Sequence, residues 1–279
     1  MQKCWAVYRA ERFSPNSVER DKAIMDAVCE RLSGAYNIYK VREEELESGF
    51  MPDAGAADIC LTMARSAPAL HTIAGMERRG VCTLNSTAAL RRSSRAAIDG
   101  MMRSNGIPCA PLQSTGGWWI KRGDEAAQEK GDVVFAAGDR QKEQAIEAFR
   151  ERGISDIVVT AHVQGDLVKF YGVSGTGFFH TTYPNDGTYS KFGDEGHNGK
   201  PRHTAFDHTA LHTCATRLAQ LTGIEVYGGD CIVRNDGTFA IIDFNDWPSF
   251  SVCRDAAAEA IAKRANDRAG ELVRRRNNI

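Results

Sequence analysis

The stretch Tyr227–Phe250, YGGDCIVRNDGTFAIIDFNDWPSF, decides how the rest of the chain is read. Two short apolar runs, Cys231–Val233 and Phe239–Ile242, flank Asn235-Asp236-Gly237. Those three residue types tolerate the positive φ of a tight turn, so the spacing predicts a β-hairpin. Folding about that turn brings Asp230, at the start of the first strand, opposite the end of the second, where Asp243 and Asn245 lie. Side chains alternate along a strand, so this i, i+2 pair points to one face. Two carboxylates and an amide oxygen then converge at the open end of a ladder. Hard oxygen ligands in that number suit Mg²⁺, which takes one or two carboxylates together with substrate phosphates and keeps several waters. Asp243 follows four apolar residues and precedes Phe244, which sets it against a core, where a carboxylate needs a cation or several donors. Turn capping is the other common use of Asp and Asn.

Composition bounds the class. At 279 residues and 42% hydrophobic, the chain can bury a sizeable core and divide into two or three lobes. Lys plus Arg (35) nearly balances Asp plus Glu (36), so no global field favours nucleic acid or an anionic membrane. The eight cysteines never form C-x-x-C, which favours reduced thiols in a cytoplasmic protein over a disulfide frame or a zinc site. No segment approaches the roughly 18 apolar residues of a membrane span, and no signal peptide is evident.

From the N-terminus, Cys4–Tyr8, Tyr36–Val41, Ala57–Met63 and Val81–Leu84 read as strands. Between them come a helix with Ile24, Val28 and Leu32 on one stripe, started by a capping box at Asn16 and Glu19, and a second helix over Ala69–Arg79. This alternation predicts a small parallel α/β unit over residues 1–90. A helix over Thr87–Arg103 is expected next, then an extended Ile107–Pro111 segment enforced by its prolines. Strands are expected at Trp118–Lys121, Asp132–Ala136, Ile157–Thr160, Lys169–Val173 and Phe178–Tyr183, with helices at Gln141–Arg152, Thr209–Leu221 and Asp255–Val273. Pro184–His203, rich in Gly, Asn, Asp and Lys, reads as a long loop, and loops of that length tend to be functional or disordered.

Asp230, the hairpin and Ile242-Asp243-Phe244-Asn245-Asp246-Trp247-Pro248 together resemble the metal-binding signature of the ATP-grasp superfamily, in the branch of the ribosomal-protein glutamate ligases and inositol trisphosphate kinases. The resemblance implies an ATP-grasp fold of α/β and α+β parts. A Rossmann-like N-terminal unit (1–90) would precede a small lobe (91–163) and a large lobe with the metal site (164–279). It implies that Asp230, Asp243 and Asn245 hold Mg²⁺, two ions with Mn²⁺ as a substitute, on ATP. It further implies that Arg95, in the position of a nucleotide-contacting lysine, and Lys121 reach the phosphates. Thr160, Ala161, His162 and Val163 would form the hinge against adenine. Asp166 is placed like a ribose-binding carboxylate, and Lys169 like the basic residues that touch phosphate or acceptor. In the long loop, Lys191, Lys200, Arg202 and His203 either close over phosphate or an acidic acceptor, with Arg202 in a catalytic role, or solvate a flexible loop. Between the strands at 118–121 and 132–136, Gly123–Gly131 is shorter than the glycine-rich lid of many members. The activity implied is ligation of a small-molecule or peptide carboxylate to an amine or other nucleophile through an acylphosphate. A small-molecule kinase, a non-catalytic nucleotide-binding module and a metal-binding structural domain remain open at this point.

Overall fold

The computed structural model describes residues 1–49, 57–124, 129–184 and 198–277. The first unit alternates strand and helix: β1 (Gln2–Tyr8), α1 (Val18–Leu32), β2 (Tyr36–Arg42), α2 (Glu43–Glu47), β3 (Ile59–Thr62), α3 (Ala67–Arg78) and β4 (Cys82–Leu84). Its four strands are all parallel in the order β2-β1-β3-β4, as the alternation predicts. The α1 stripe of Ile24, Val28 and Leu32 is fully buried. The helix does not start at the expected capping box: Ser17 precedes it, and Asn16 takes the left-handed conformation at φ 59°.

The expected helix over Thr87–Arg103 is two helices, α4 (Thr87–Arg91) and α5 (Arg95–Ser104). Serine chemistry breaks it. Ser93 Oγ donates back to the Ala89 carbonyl at 2.7 Å, and Ser94 caps α5 by accepting from the Ala97 amide at 3.2 Å. A three-stranded antiparallel sheet follows, from β5 (Trp118–Arg122), β6 (Val133–Ala136) and β7 (Ile157–Ala161), in the order β6-β5-β7 with α6 (Asp139–Glu151) against it.

The last sheet joins β8 (Asp166–Val173), β9 (Phe178–Thr182), β10 (Val226–Val233) and β11 (Phe239–Asp246) in the order β11-β10-β8-β9, all antiparallel. Helix α7 (His208–Thr222) packs on it through Leu211, Ala215 and Leu218. The hairpin strands run longer than their apolar runs, because pairing with β8 carries β10 back to Val226, so Asp230 lies within the strand and not at its start. Between them Gly237 alone of residues 235–237 takes a positive φ, at 80°.

The parallel unit is fastened to the rest by two devices. Helix α8 (Arg254–Asn277) presents Ala257, Ala258, Ile261 and Ala265 to a core shared with α1, β1 and Trp247. Small residues let it approach closely, and a fully buried isoleucine such as Ile261 contributes about 1.5–3 kcal/mol. Buried Asn85 then acts as a piece of strand. Its Oδ1 accepts from the Glu225 and Val226 amides at 2.7 and 2.9 Å, and its Nδ2 donates to the Val226 carbonyl at 3.0 Å. Both polar atoms of this buried amide thereby have partners. The end of β4 is locked to the start of β10, and the ends of the parallel strands face the hairpin.

Candidate active site

Register builds the site. On the antiparallel ladder Asp230 pairs directly with Asp243 of β11 and with Lys169 of β8, so the three side chains form a row across one face. A β-bulge falls between Asp230 and Cys231, a device that re-aims side chains beside functional sites. The residue before Asp230 has to be glycine: a Cβ on Gly229 would lie 2.3 Å from the Asp243 carbonyl oxygen and 2.4 Å from the Phe170 ring. Asn245, opposite Gly228, donates from Nδ2 to Asp243 Oδ2 at 3.1 Å, which leaves its amide oxygen for a ligand.

Cations surround this row. Lys169 Nζ lies 3.1 Å from Asp230 Oδ1. Lys121, at the end of β5, donates to the Ile242 carbonyl at 3.0 Å, which draws the small sheet onto the hairpin. Arg95, in the first turn of α5, donates to the Arg122 carbonyl at 2.7 Å and holds its Nε 3.8 Å from Asp243 Oδ1. Burial works against the charge on Asp243, yet Arg95, Lys121, the Asn245 amide and Lys169 together keep its carboxyl below the ordinary range. Burial, with Arg95 adding to it, pushes the Lys121 ammonium below the usual lysine range, although Asp243 opposes the shift.

A cavity of about 350 Å³ opens over this row. Of the residues expected to act there, Asp230, Asp243, Asn245, Lys121, Lys169, Arg95, Thr160, Ala161 and Val163 line it. The amides of Ala161 and His162 are used within the protein, donating to the Pro111 and Gly117 carbonyls at 2.8 and 2.9 Å. Trp119, which also lines the cavity, donates to His162 Nδ1 at 3.1 Å, so the His162 ring belongs to an aromatic group with Trp119 and Phe135 and not to the cavity wall. The two tryptophans of β5 are only half-buried, and Ile120 after them is the buried residue of the strand.

Three of the expected residues, His162, Asp166 and Arg202, are not among those lining this cavity. Asp166, expected at a ribose, is buried and spends both carboxylate oxygens on the Arg202 and Thr204 amides at 2.8 and 2.9 Å. It anchors the segment after residue 198. Burial again opposes its charge, and the two amides together hold the carboxyl below the ordinary range. Arg202, expected as a catalytic group, is exposed beside Asp166 and Lys200 around a smaller pocket that Asn235 of the hairpin turn also lines, and it does not line the cavity over the carboxylate row. Of the expected lid, Lys191 and the rest of 185–197 lie outside the described residues, as do 125–128 of the short glycine-flanked segment.

The sequence reading missed a wall contributed by the parallel unit. Arg9 follows β1 and Arg65 follows β3, and both line the cavity. Arg65 Nη2 donates to Asp246 Oδ1 at 2.8 Å, while Arg9 reaches Asp21 at 3.1 Å and Asp246 Oδ2 at 3.6 Å. Fully buried Glu43 fixes the backbone that carries them, accepting from the Ala10, Arg65 and Ser66 amides at 2.8, 2.7 and 2.6 Å. The available signal was position: ligands of parallel sheets gather beyond the carboxyl ends of the strands, where both arginines stand.

The donor set fits magnesium. Among the described residues no group of three or more His, Cys, Asp or Glu side chains gathers as a metal cage. Two carboxylates and an amide oxygen in a cationic cavity are instead what an ion shared with substrate phosphates requires.

Neither a protein-family model nor a curated protein matches the chain. Solved structures do. The D-alanyl-alanine synthetase A of Vibrio cholerae O1 biovar eltor superposes with a TM-score of 0.67 at 13% identity, covering 96% of this chain and 99% of that one. A RimK domain protein ATP-grasp from Sphaerobacter thermophilus gives 0.65 at 15% identity, over 94% and 99%. The ATP-grasp ligase PsnB complexed with minimal precursor gives 0.61 at 11%, over 96% and 100%. At such identities the likeness speaks for architecture, and the architecture of this chain is the ATP-grasp fold.

Proposed function

We propose that the chain is an ATP- and Mg²⁺-dependent ligase that joins a carboxylate to an amine or other nucleophile through an acylphosphate. The observation that carries this reading is the Lys169–Asp230–Asp243 row, with Asn245 beside it and Lys121 and Arg95 against it, inside one cavity. Phosphoryl transfer needs little covalent help from protein but much positioning and charge neutralisation. Asp230, Asp243 and Asn245 would hold the metal, whose role is to neutralise charge on the β- and γ-phosphates. Lys121 and Arg95 would meet the phosphates from the small sheet and α5, and Thr160, Ala161 and Val163 the base. Lys169, paired to Asp230, would shift to phosphate as the metal takes the carboxylate. The acceptor oxygen attacks the γ-phosphorus and ADP leaves. The nucleophile then attacks the acyl carbon, loses a proton and displaces phosphate.

The three sheets support a division into lobes of 1–90, 91–163 and 164–279 around the nucleotide. The names of the structural neighbours, ligases among them, support the reaction class. No helix among the described residues is long and apolar enough to cross a membrane, and eight unpaired cysteines fit a cytoplasmic enzyme. The deciding experiment measures phosphate release from ATP over pools of acids and amines. The expected result is release that depends on both an acid and a nucleophile and is abolished by EDTA. A phosphorylated product without free phosphate would instead select a kinase on the same scaffold, and nucleotide binding with no turnover a regulatory module.

A further inference from the structure

Asn245 lies one residue from the end of β11, the edge strand of its sheet. Among the described residues an isolated bridge from Cys109 covers the outer side of that strand only at Ile241, far from Asn245. Beyond Asp246 the chain leaves the ladder at Trp247, whose φ of 37° is left-handed, as is the 48° of Phe250. For bulky residues such backbone costs on the order of 1–3 kcal/mol each and persists only where the surroundings over-determine it. At Trp247 they do. Its amide donates to the Val226 carbonyl at 3.1 Å, its indole Nε1 to the Leu84 carbonyl at 3.2 Å, and its ring is fully buried. Its carbonyl accepts from Arg9 Nη2 at 3.2 Å, a bond from the other end of the chain.

Arg9 is itself held in place. Its side chain is only 7% exposed, and each of its three guanidinium nitrogens has a protein partner. Nε donates to the Met63 carbonyl at 3.2 Å, Nη1 to Asp21 Oδ2 at 3.1 Å, and Nη2 to Trp247 while standing 3.6 Å from Asp246 Oδ2. Asp21 is fixed in turn by Ser14 Oγ, which donates to the same oxygen at 2.7 Å. One planar fork therefore joins the residue after β3, the first turn of α1 and the corner that ends β11. A ligand oxygen on an edge strand needs such support, because the groups around a metal's ligands orient them. We infer that Arg9 is a positioning residue: it fixes the Asp246–Trp247 corner and thereby aims the Asn245 amide oxygen at the metal, which makes the parallel unit part of the metal site. The metal half of this assignment rests on the reading above, and the corner itself can be followed without metal or nucleotide.

The test compares the wild type with Arg9→Lys, Asp21→Asn and a structural control, Ile73→Val, which thins a core of the parallel unit that does not include Trp247. In the metal-free protein, NMR reads hydrogen exchange at the Trp247 amide relative to that at Ile232 in the middle of the same hairpin. Spin resonance of the free ion then reads Mn²⁺ binding in the presence of the non-hydrolysable ATP analogue AMP-PNP. Arg9→Lys keeps the buried charge but loses the fork. It should raise the exchange ratio at least about tenfold and weaken Mn²⁺ about tenfold, the scale on which a group that orients a metal ligand acts. AMP-PNP binding in EDTA should stay unchanged. Asp21→Asn loosens Arg9 from the side away from the hairpin, so it should move both readings the same way by about threefold, and it carries the test if the lysine variant does not fold. Ile73→Val should lower the melting temperature and move neither reading. A wild type that binds no Mn²⁺ with AMP-PNP, with the exchange ratio still raised in Arg9→Lys, would sink the metal reading and leave Arg9 as the clamp of the corner. An unchanged exchange ratio, an unchanged Mn²⁺ affinity in both Arg9→Lys and Asp21→Asn, or an equal loss in Ile73→Val would overturn the positioning role.

Discussion

Asp236 and Asp243 stand at opposite ends of one hairpin, and their surroundings could hardly differ more. Asp236, in the exposed turn, accepts from the Thr238 amide at 2.9 Å and its hydroxyl at 2.7 Å, so its own loop satisfies it. Asp243 has one local amide, from Phe244 at 3.2 Å, and otherwise faces Asn245 and cations delivered by three other elements. The first carboxylate shapes the chain that carries it. The second is held in a field assembled by the whole fold, and that field suits a ligand which brings negative charge and metal together. The residue type is the same; what surrounds it separates a turn former from a candidate metal ligand.

The largest expected effect breaks this contrast at its charged end. Asp243→Asn keeps volume but removes one negative charge from the proposed metal site, and kcat should fall by at least about a hundredfold, a loss of about 3 kcal/mol. Steady-state turnover checks this, with Asp236→Asn as the partner variant at the other end. There asparagine keeps the accepting oxygen, and both turnover and stability should stay within about 0.5 kcal/mol of wild type.

Asp166 sharpens the comparison as a third setting, a carboxylate satisfied by backbone amides. Asp166→Asn should cost about 2 kcal/mol at neutral pH, the scale of a charge-assisted hydrogen bond. Its folded-state value lies below the ordinary one, so the unfolded chain binds the proton more readily. The contribution is therefore fully present above the unfolded value of about 3.9 and is lost as pH falls through the folded value. Urea unfolding at pH 7 and near pH 3 should show the wild type and variant converging in acid. A gap that persists unchanged would mean that the charge contributes nothing.

A smaller effect is expected at Lys121, one of the cations facing Asp243. Lys121→Ala should weaken ATP binding about tenfold with the fold intact, the scale of one phosphate contact. Fluorescence titration with a labelled nucleotide measures it, and an unchanged affinity would make Lys121 a tie to the Ile242 carbonyl and nothing more.

Much of this was legible in sequence where local chemistry sets the structure. The hairpin register follows from its own turn, so Asp230, Asp243 and Asn245 could be brought together from sequence alone. The strand that carries Lys121 was legible from its own apolar run. The break between α4 and α5 was not, since side-chain bonds of Ser93 and Ser94 outweigh the helical periodicity there. The setting of Asp166 was not legible either, because the amides that claim it belong to Arg202 and Thr204, across a long loop. Arg9, Arg65 and Asp246 were invisible as a group. They meet only because Asn85 and α8 dock the parallel unit on the hairpin, and no pattern within one element reports such a docking.

The central claim is that the open end of the β10–β11 hairpin holds ATP through a metal, and thermal unfolding tests it most directly. A ligand that binds only the folded state raises its stability by RT ln(1 + [L]/Kd). ATP with Mg²⁺ should raise the melting temperature of the wild type clearly more than ATP with EDTA, and in Asp243→Asn that metal-dependent increment should largely vanish. Equal shifts with and without metal, or a full increment in the variant, would contradict the account.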